Sequence, residues 1–212
     1  MPLYSKKVLD AQTSIGIWKL DEVAEYFIQH LNLFDEELEE INILSERKRL
    51  EWLASRYLLH IMVGAEDRSP CLKDEFGKPY LSNSKHFISL SHSRNFVAVI
   101  MSDEPCGVDI QYLVPKIDRI AKRFMSLKEL SELGMKSIIE KMHVYWGAKE
   151  SIFKAYGRKS VDFKKHIFVH QFDFTDDFVF SAAFDNDSFT ANYSCGSCVI
   201  DSNFILVHAK SI

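Results

Sequence analysis

Residues 142–157 read Met142-His143-Val144-Tyr145-Trp146-Gly147-Ala148-Lys149-Glu150-Ser151-Ile152-Phe153-Lys154-Ala155-Tyr156-Gly157. Tyr145, Ala148, Ile152 and Ala155 recur at three- and four-residue spacing, which predicts a helix with one buried stripe, and Gly157 supplies its stop. Trp146, Glu150 and Lys154 stand four apart and form a second stripe, away from the core side. After Asp162 the pattern changes to strands at 166–174, 178–184, 189–193 and 204–209. Turn clusters such as Asp176-Asp177, Asp185-Asn186-Asp187 and Asp201-Ser202-Asn203 separate them. Helices followed by runs of short strands point to an α+β fold.

Reading outward toward the N-terminus, the same order recurs. An acidic run at 35–40 precedes residues 45–63, where Leu50, Leu53, Tyr57, Leu58, Ile61 and Met62 mark an amphipathic helix that Gly64 ends. Phe76-Gly77-Lys78-Pro79 is turn chemistry, 87–91 is strand-like, and 96–101 is an apolar run suited to a buried strand, with the loop His92-Ser93-Arg94-Asn95 between the last two. A further short strand, Gly107-Val108-Asp109-Ile110-Gln111, follows a turn at 103–106. Its alternation sets Asp109 on the face opposite Val108 and Ile110. Ser126-Leu127-Lys128-Glu129 is a capping box that opens a short helix. The order of elements restarts near 102–106, giving two expected halves, 1–104 and 105–212, packed together because no Pro-, Gly- or Ser-rich linker divides them. No residue-level repeat is evident, so a duplication would be one of topology.

Composition limits the function classes. The chain has 212 residues, 47% of them hydrophobic, with 26 Lys plus Arg against 30 Asp plus Glu and a formal net charge of -4. Nucleic acid is not expected as a partner, and any anionic ligand must be met by a local cluster of cations. Four cysteines make no disulfide scaffold, which favours a reducing, cytoplasmic setting. Cys195 and Cys198 have CxxC spacing but no second CxxC, and read as small residues in a turn. No apolar stretch approaches the length of a membrane span. The expectation is a soluble, unexported protein.

Several residue types could carry chemistry. Arg49 and Arg56 lie seven apart on one stripe of the first long helix, with Lys48 beside them; a solvated face paired with Glu46 and Glu51 would account for them as well. Mg²⁺ takes hard oxygen ligands and often only one or two carboxylates, for which Asp109 and Glu150 are candidates. There is no GxxxxGK[ST], GxGxxG, HExxH or GxSxG pattern. Ser91-His92-Ser93 sets hydroxyls beside an imidazole, but neighbours at a strand end do not make a nucleophile–base pair.

Taken in order, Gly77-Lys78-Pro79, Ile88-Ser89-Leu90-Ser91-His92-Ser93, Gly107-Val108-Asp109-Ile110 and Trp146-Gly147-Ala148-Lys149-Glu150-Ser151-Ile152-Phe153-Lys154 resemble the 4'-phosphopantetheinyl transferase superfamily. The resemblance is to its larger, surfactin-synthetase-activating type, and it spans about 45–157. It implies two similar α+β halves packed as a pseudo-dimer, with the active site in the cleft between them. It also implies a monomeric, cytoplasmic, Mg²⁺-dependent transferase of the holo-[acyl-carrier-protein] synthase kind, serving fatty acid or related biosynthesis. Such an enzyme moves the 4'-phosphopantetheine arm of coenzyme A onto a serine of an apo acyl or peptidyl carrier protein and releases adenosine 3',5'-bisphosphate. The partner brings the nucleophile, in keeping with the lack of a convincing one here.

By motif position the resemblance makes Asp109, Glu150 and Lys154 catalytic, with Asp109 and Glu150 holding Mg²⁺ and Lys154 reaching the pyrophosphate. Gln111 stands where many members carry Glu, and would join the metal shell through its carbonyl oxygen or a held water. Arg49, Arg56, Lys78, Ser91 and His92 would receive coenzyme A and its 3'-phosphate, and Trp146 would orient acid and cofactor. Lys116, Arg119, Lys122, Arg123 and Phe124 are candidates for a docking face toward an acidic carrier. Gln111 also leaves open a catalytically impaired module that binds coenzyme A or a carrier without turnover.

Overall fold

A computed structural model describes residues 3–212, which form two compact units that divide between Asp103 and Glu104. Among the described residues, no helix is long and apolar enough to cross a membrane.

Unit 1 opens with a hairpin, β1 (Leu3–Asp10) and β2 (Thr13–Lys19), ahead of three helices: α1 (Ala24–His30), α2 (Asp35–Asn42) and α3 (Glu46–Val63). Strands β3 (Cys71–Lys73), β4 (Pro79–Leu81), β5 (Phe87–Ser93) and β6 (Phe96–Ser102) follow, and the six strands form one antiparallel sheet in the order β1-β2-β6-β5-β4-β3. The hairpin is absent from the helices-first reading. Thr13, Ile15, Gly16, Ile17 and Trp18 of β2 are all buried, so the strand lacks the polar alternation that marks a half-exposed one. Helix α3 buries Leu53, Leu58, Leu59 and Met62 against Trp18, Val97 and Val99. It lies so close at Gly16 that a Cβ there would fall 2.6 Å from Met62 Sδ. Gly64 ends α3 in the left-handed region at φ +69°, its N–H donating to His60 O at 3.1 Å. His92 and Ser93 belong to β5, and only Arg94 and Asn95 turn the chain into β6.

Unit 2 runs from β7 (Cys106–Tyr112) through a 3₁₀ helix at Pro115–Arg119 to α4 (Ala121–Phe124), α5 (Leu127–Ser131), α6 (Ile138–Tyr156) and α7 (Phe163–His166). Strands β8 (Ile167–Val169), β9 (Asp177–Asn186), β10 (Phe189–Ile200) and β11 (Phe204–Ser211) complete an antiparallel sheet in the order β7-β11-β10-β9-β8. The capping box forms as its residues dictate: Ser126 Oγ accepts from Glu129 N at 3.2 Å and Glu129 Oε2 accepts from Ser126 N at 2.7 Å.

Two strand readings are corrected. The strand expected over 166–174 covers only Ile167–Val169, because the rings of Phe172 and Phe174 turn onto Phe178 and Phe180. The strand expected to end at Tyr193 continues to Ile200, so Cys195 and Cys198 sit in β10 and not in a turn. Three apart in an unbroken register, they point to opposite faces, with Cys195 buried.

Apart from β1, the two units share one connectivity. The first strand leads into helices, a meander of four strands follows, and its last strand returns beside the first: β2-β6-β5-β4-β3 in unit 1 and β7-β11-β10-β9-β8 in unit 2. The likeness of the two units is therefore one of connectivity, without an evident repeat in the residues.

Candidate active site

In unit 2, α6 lies across β7 and β11 at a distance that only glycine permits. A Cβ at Gly107 would sit 1.8 Å from Ser151 O, and one at Gly147 would sit 2.7 Å from Val207 Cγ2. Ser151 Oγ seals the contact by donating to Val207 O at 2.9 Å. On β7 the face that carries Gly107 also carries Asp109 and Gln111, so both polar side chains meet α6.

The stripe of Trp146, Glu150 and Lys154 therefore does not point away from the packed side. Its two charged members turn toward β7. Lys154 Nζ donates to Asp109 Oδ1 at 2.9 Å and to Val108 O at 2.8 Å. Asp109 is only 9% exposed, so its charge needs such a partner. Glu150 is half-buried, and its carboxyl pKa is raised, first by desolvation and then by the nearby charge of Asp109, against which Lys154 acts. Two carboxylates and one ammonium thus share a small region. Trp146, one turn before Glu150, packs edge-on to Phe124 at 5.0 Å and against Phe163 at 5.8 Å.

Gln111 is held by three bonds. Its Oε1 accepts from His143 Nδ1 at 2.7 Å, while its Nε2 donates to His143 O at 2.8 Å and approaches Asp109 Oδ2 at 3.4 Å. Its oxygen is thus engaged by a ring nitrogen and its nitrogen faces the acid. His143 is buried, and burial lowers its pKa below the usual value of 6.5.

The donor set suits a hard divalent ion in one respect: Asp109 and Glu150 both offer carboxylate oxygens, near enough that the charge of Asp109 is felt at Glu150. Among the described residues, no group of three or more His, Cys, Asp or Glu side chains is placed to hold a metal ion. Any shell built here has two protein carboxylates and would draw its other ligands from water or substrate.

Residues 105–198, the greater part of unit 2, match the model of the 4'-phosphopantetheinyl transferase superfamily. Through that unit the chain is similar to this superfamily. Among curated relatives, 4'-phosphopantetheinyl transferase gsp of Aneurinibacillus migulanus is 30% identical over 111 residues, or 51% of this chain and 46% of the relative. The Sfp transferase of Bacillus subtilis strain 168 is 36% identical over 89 residues, 40% of this chain and 39% of the relative. The psf-1 transferase of Bacillus pumilus is 32% identical over 110 residues, 49% of this chain and 46% of the relative. The chain spans about half or less of the length of these relatives.

Within the superfamily motif, sequence reasoning gave no role to Lys149. It is fully buried on the same stripe as Tyr145 and Ile152, donating to Glu129 Oε2 at 3.0 Å, Phe163 O at 2.9 Å and Ile167 O at 2.7 Å. Glu129 in turn accepts from Val169 N at 3.1 Å. The pair ties α6 to α5 and β8. Its signal was present in the spacing: a lysine three or four residues from buried positions must point inward with them. His143 was also missed, and no local pattern marks it.

In unit 1, the sequence-derived cations occupy several environments. Arg49 Nε donates to Ile41 O at 3.0 Å. Arg56 is 7% exposed, its guanidinium stacked 4.2 Å over Trp52 and bonded to Ser55 Oγ at 3.0 Å, so it is no member of a solvated helix face. Burial lowers its pKa. Arg56 lines a cavity of about 10 Å³, near the size that one water needs, with Leu59, His60, Arg68 and Cys71. His92 Nδ1 lies 3.1 Å from Glu51 Oε2, and Glu51 Oε1 also accepts from Arg47 Nε at 2.6 Å. Lys78 follows Gly77, which turns at φ +88°, and its ammonium lies 5.7 Å from the Phe87 ring centroid. Ser91 is buried on β5 next to His92.

Proposed function

We propose that this protein transfers the 4'-phosphopantetheine group of coenzyme A to a serine of an apo acyl or peptidyl carrier protein, with Mg²⁺, releasing adenosine 3',5'-bisphosphate. The observation that carries the reading is the convergence of Asp109, Glu150 and Lys154, from a strand and a helix forty residues apart, inside the segment that matches the superfamily. The relatives named above are called 4'-phosphopantetheinyl transferases, and the reading brings that activity to this chain.

Asp109 and Glu150 would hold the Mg²⁺ ion, whose chemistry is to offset charge on the pyrophosphate as it becomes a leaving group. Lys154, bonded to Asp109, would present its ammonium to the same phosphates. Glu150 would take the proton of the carrier serine, a role helped by a carboxyl pKa raised above the ordinary range. Arg49, Arg56, Lys78, Ser91 and His92 are the proposed receivers of coenzyme A and its 3'-phosphate, with Trp146 orienting the acid. The pseudo-dimer of the resemblance, and a monomeric, cytoplasmic enzyme, belong to the same proposal.

Intact-mass measurement on a panel of apo carrier proteins, incubated with coenzyme A and Mg²⁺, is the test. Each competent carrier gains one phosphopantetheine, and Glu150→Gln removes the gain while the thermal melt stays cooperative. No mass gain on any carrier would sink the reading. Tight coenzyme A binding by calorimetry without transfer would instead favour the impaired binding module.

A further inference from the structure

Which atom of Gln111 faces Asp109 is fixed by a chain of bonds that begins at the backbone. Val114 N, which can only donate, lies 3.0 Å from His143 Nε2. That ring nitrogen therefore carries the lone pair, and its 3.3 Å approach to Val114 O is the longer of the two contacts. The ring proton then belongs to Nδ1, which needs an acceptor at 2.7 Å and has Gln111 Oε1 there. With its oxygen turned to His143, the carboxamide must direct its nitrogen the other way. One N–H meets His143 O at 2.8 Å and the second is aimed at Asp109 Oδ2, 3.4 Å distant. The reverse amide orientation would set Oε1 against the carbonyl of His143, two acceptors facing each other.

We propose that His143 is a positioning residue for the carboxylate site, holding Gln111 so that its amide N–H restrains Asp109, and that Gln111 serves Asp109 instead of binding the ion itself. The inference rests on the transferase reading for its effect on Mg²⁺, and on bonding geometry alone for the brace. Lys154 restrains one oxygen of Asp109 and Gln111 the other, so the acid is fixed from both sides before any ligand arrives. Gln at 111 is then matched to His at 143. A Glu at 111 would keep the bond to Nδ1–H but turn its second oxygen on His143 O and on Asp109.

The first measurement is ¹⁵N NMR of the ring nitrogens in the full chain, with the His143 signals assigned by their loss in His143→Asn. The Nδ1–H tautomer is expected; the Nε2–H tautomer overturns the brace whatever the activity. The second is Mg²⁺ affinity by calorimetry for wild type, His143→Leu and His143→Asn, each checked for a cooperative melt. His143→Leu weakens Mg²⁺ by about 10- to 100-fold, the usual effect of removing a residue that orients a ligand. His143→Asn keeps an N–H donor near the Nδ1 position and restores most of the loss. Equal affinities in all three proteins, or equal losses in both variants, overturn the positioning role. If wild type binds no Mg²⁺ and modifies no carrier, the transferase reading falls, while the tautomer still decides the brace.

Discussion

Lys154 reaches from α6 to β7 and bonds both the carboxylate of Asp109, at 2.9 Å, and the carbonyl of Val108, at 2.8 Å. One ammonium thus satisfies a side chain and the backbone next to it. Its side chain is 26% exposed and that of Asp109 is 12%, so this pair is screened far less than a surface ion pair.

Lys154→Met should therefore cost stability as well as turnover. It removes the ammonium bonded to Asp109, and a loss of about 1–3 kcal/mol is expected from a charge-assisted bond left unmade. Urea denaturation measures it. An unchanged midpoint would mean that solvent already screens the pair.

The two close-packing glycines should differ in what they tolerate. At Gly107 the added methyl would meet the Ser151 carbonyl, part of the helix backbone, whereas at Gly147 it would meet the Val207 side chain and the end of Gln111. Gly107→Ala is expected to cost at least about 3 kcal/mol, and Gly147→Ala about 1–3 kcal/mol, because only side chains can move aside cheaply. Thermal melts of the two variants give the order. Gly107→Ala as stable as wild type would refute the close approach.

Lys149 and Glu129 are 0% and 5% exposed at their side chains and lie 2.9 Å apart. Lys149→Met leaves Glu129 buried with backbone donors only, an expected loss of about 3–5 kcal/mol. In Lys149→Met/Glu129→Gln the uncompensated charge is gone, and part of the loss should return. A double variant no better than the single one would show that the cost is packing and not charge.

Burial holds the His143 pKa below 6.5, so between its folded-state value and about 6.5 the unfolded chain binds more protons than the native one. Stability then falls as pH falls through that window, and the neutral ring's contribution is complete above it. Urea midpoints for wild type and His143→Asn at about pH 7.5 and about pH 5.5 should show the wild type losing more on acidification. A parallel shift in both proteins would argue that other groups titrate.

How much of this was legible in the sequence depended on periodicity. Helices α3 and α6, their glycine stops and the Ser126 capping box follow from local spacing, and the structure has them within a few residues. β2 was invisible because burial on both faces removes alternation. β10 was cut short because Ser194, Cys195, Gly196 and Ser197 are turn-like by composition, yet the ladders to β9 and β11 hold them extended. For the candidate site, the residues were readable but their direction was not. Whether the Glu150–Lys154 stripe faces solvent or β7 is decided by the approach at Gly107, a tertiary contact. The link between His143 and Gln111 joins positions thirty-two residues apart and leaves no mark on either neighbourhood.

The shared connectivity of the two units has a consequence for how unlike their interiors have become. Gly16 on β2 corresponds to Gly107 on β7, each pressed against its own long helix. Two residues further on, unit 2 has the acid Asp109, whereas unit 1 has Trp18, an indole packed edge-on to Tyr57 at 5.2 Å. The same scaffold position thus holds a carboxylate in unit 2 and a buried indole in unit 1, so a common connectivity serves ionic chemistry in one interior and ring packing in the other.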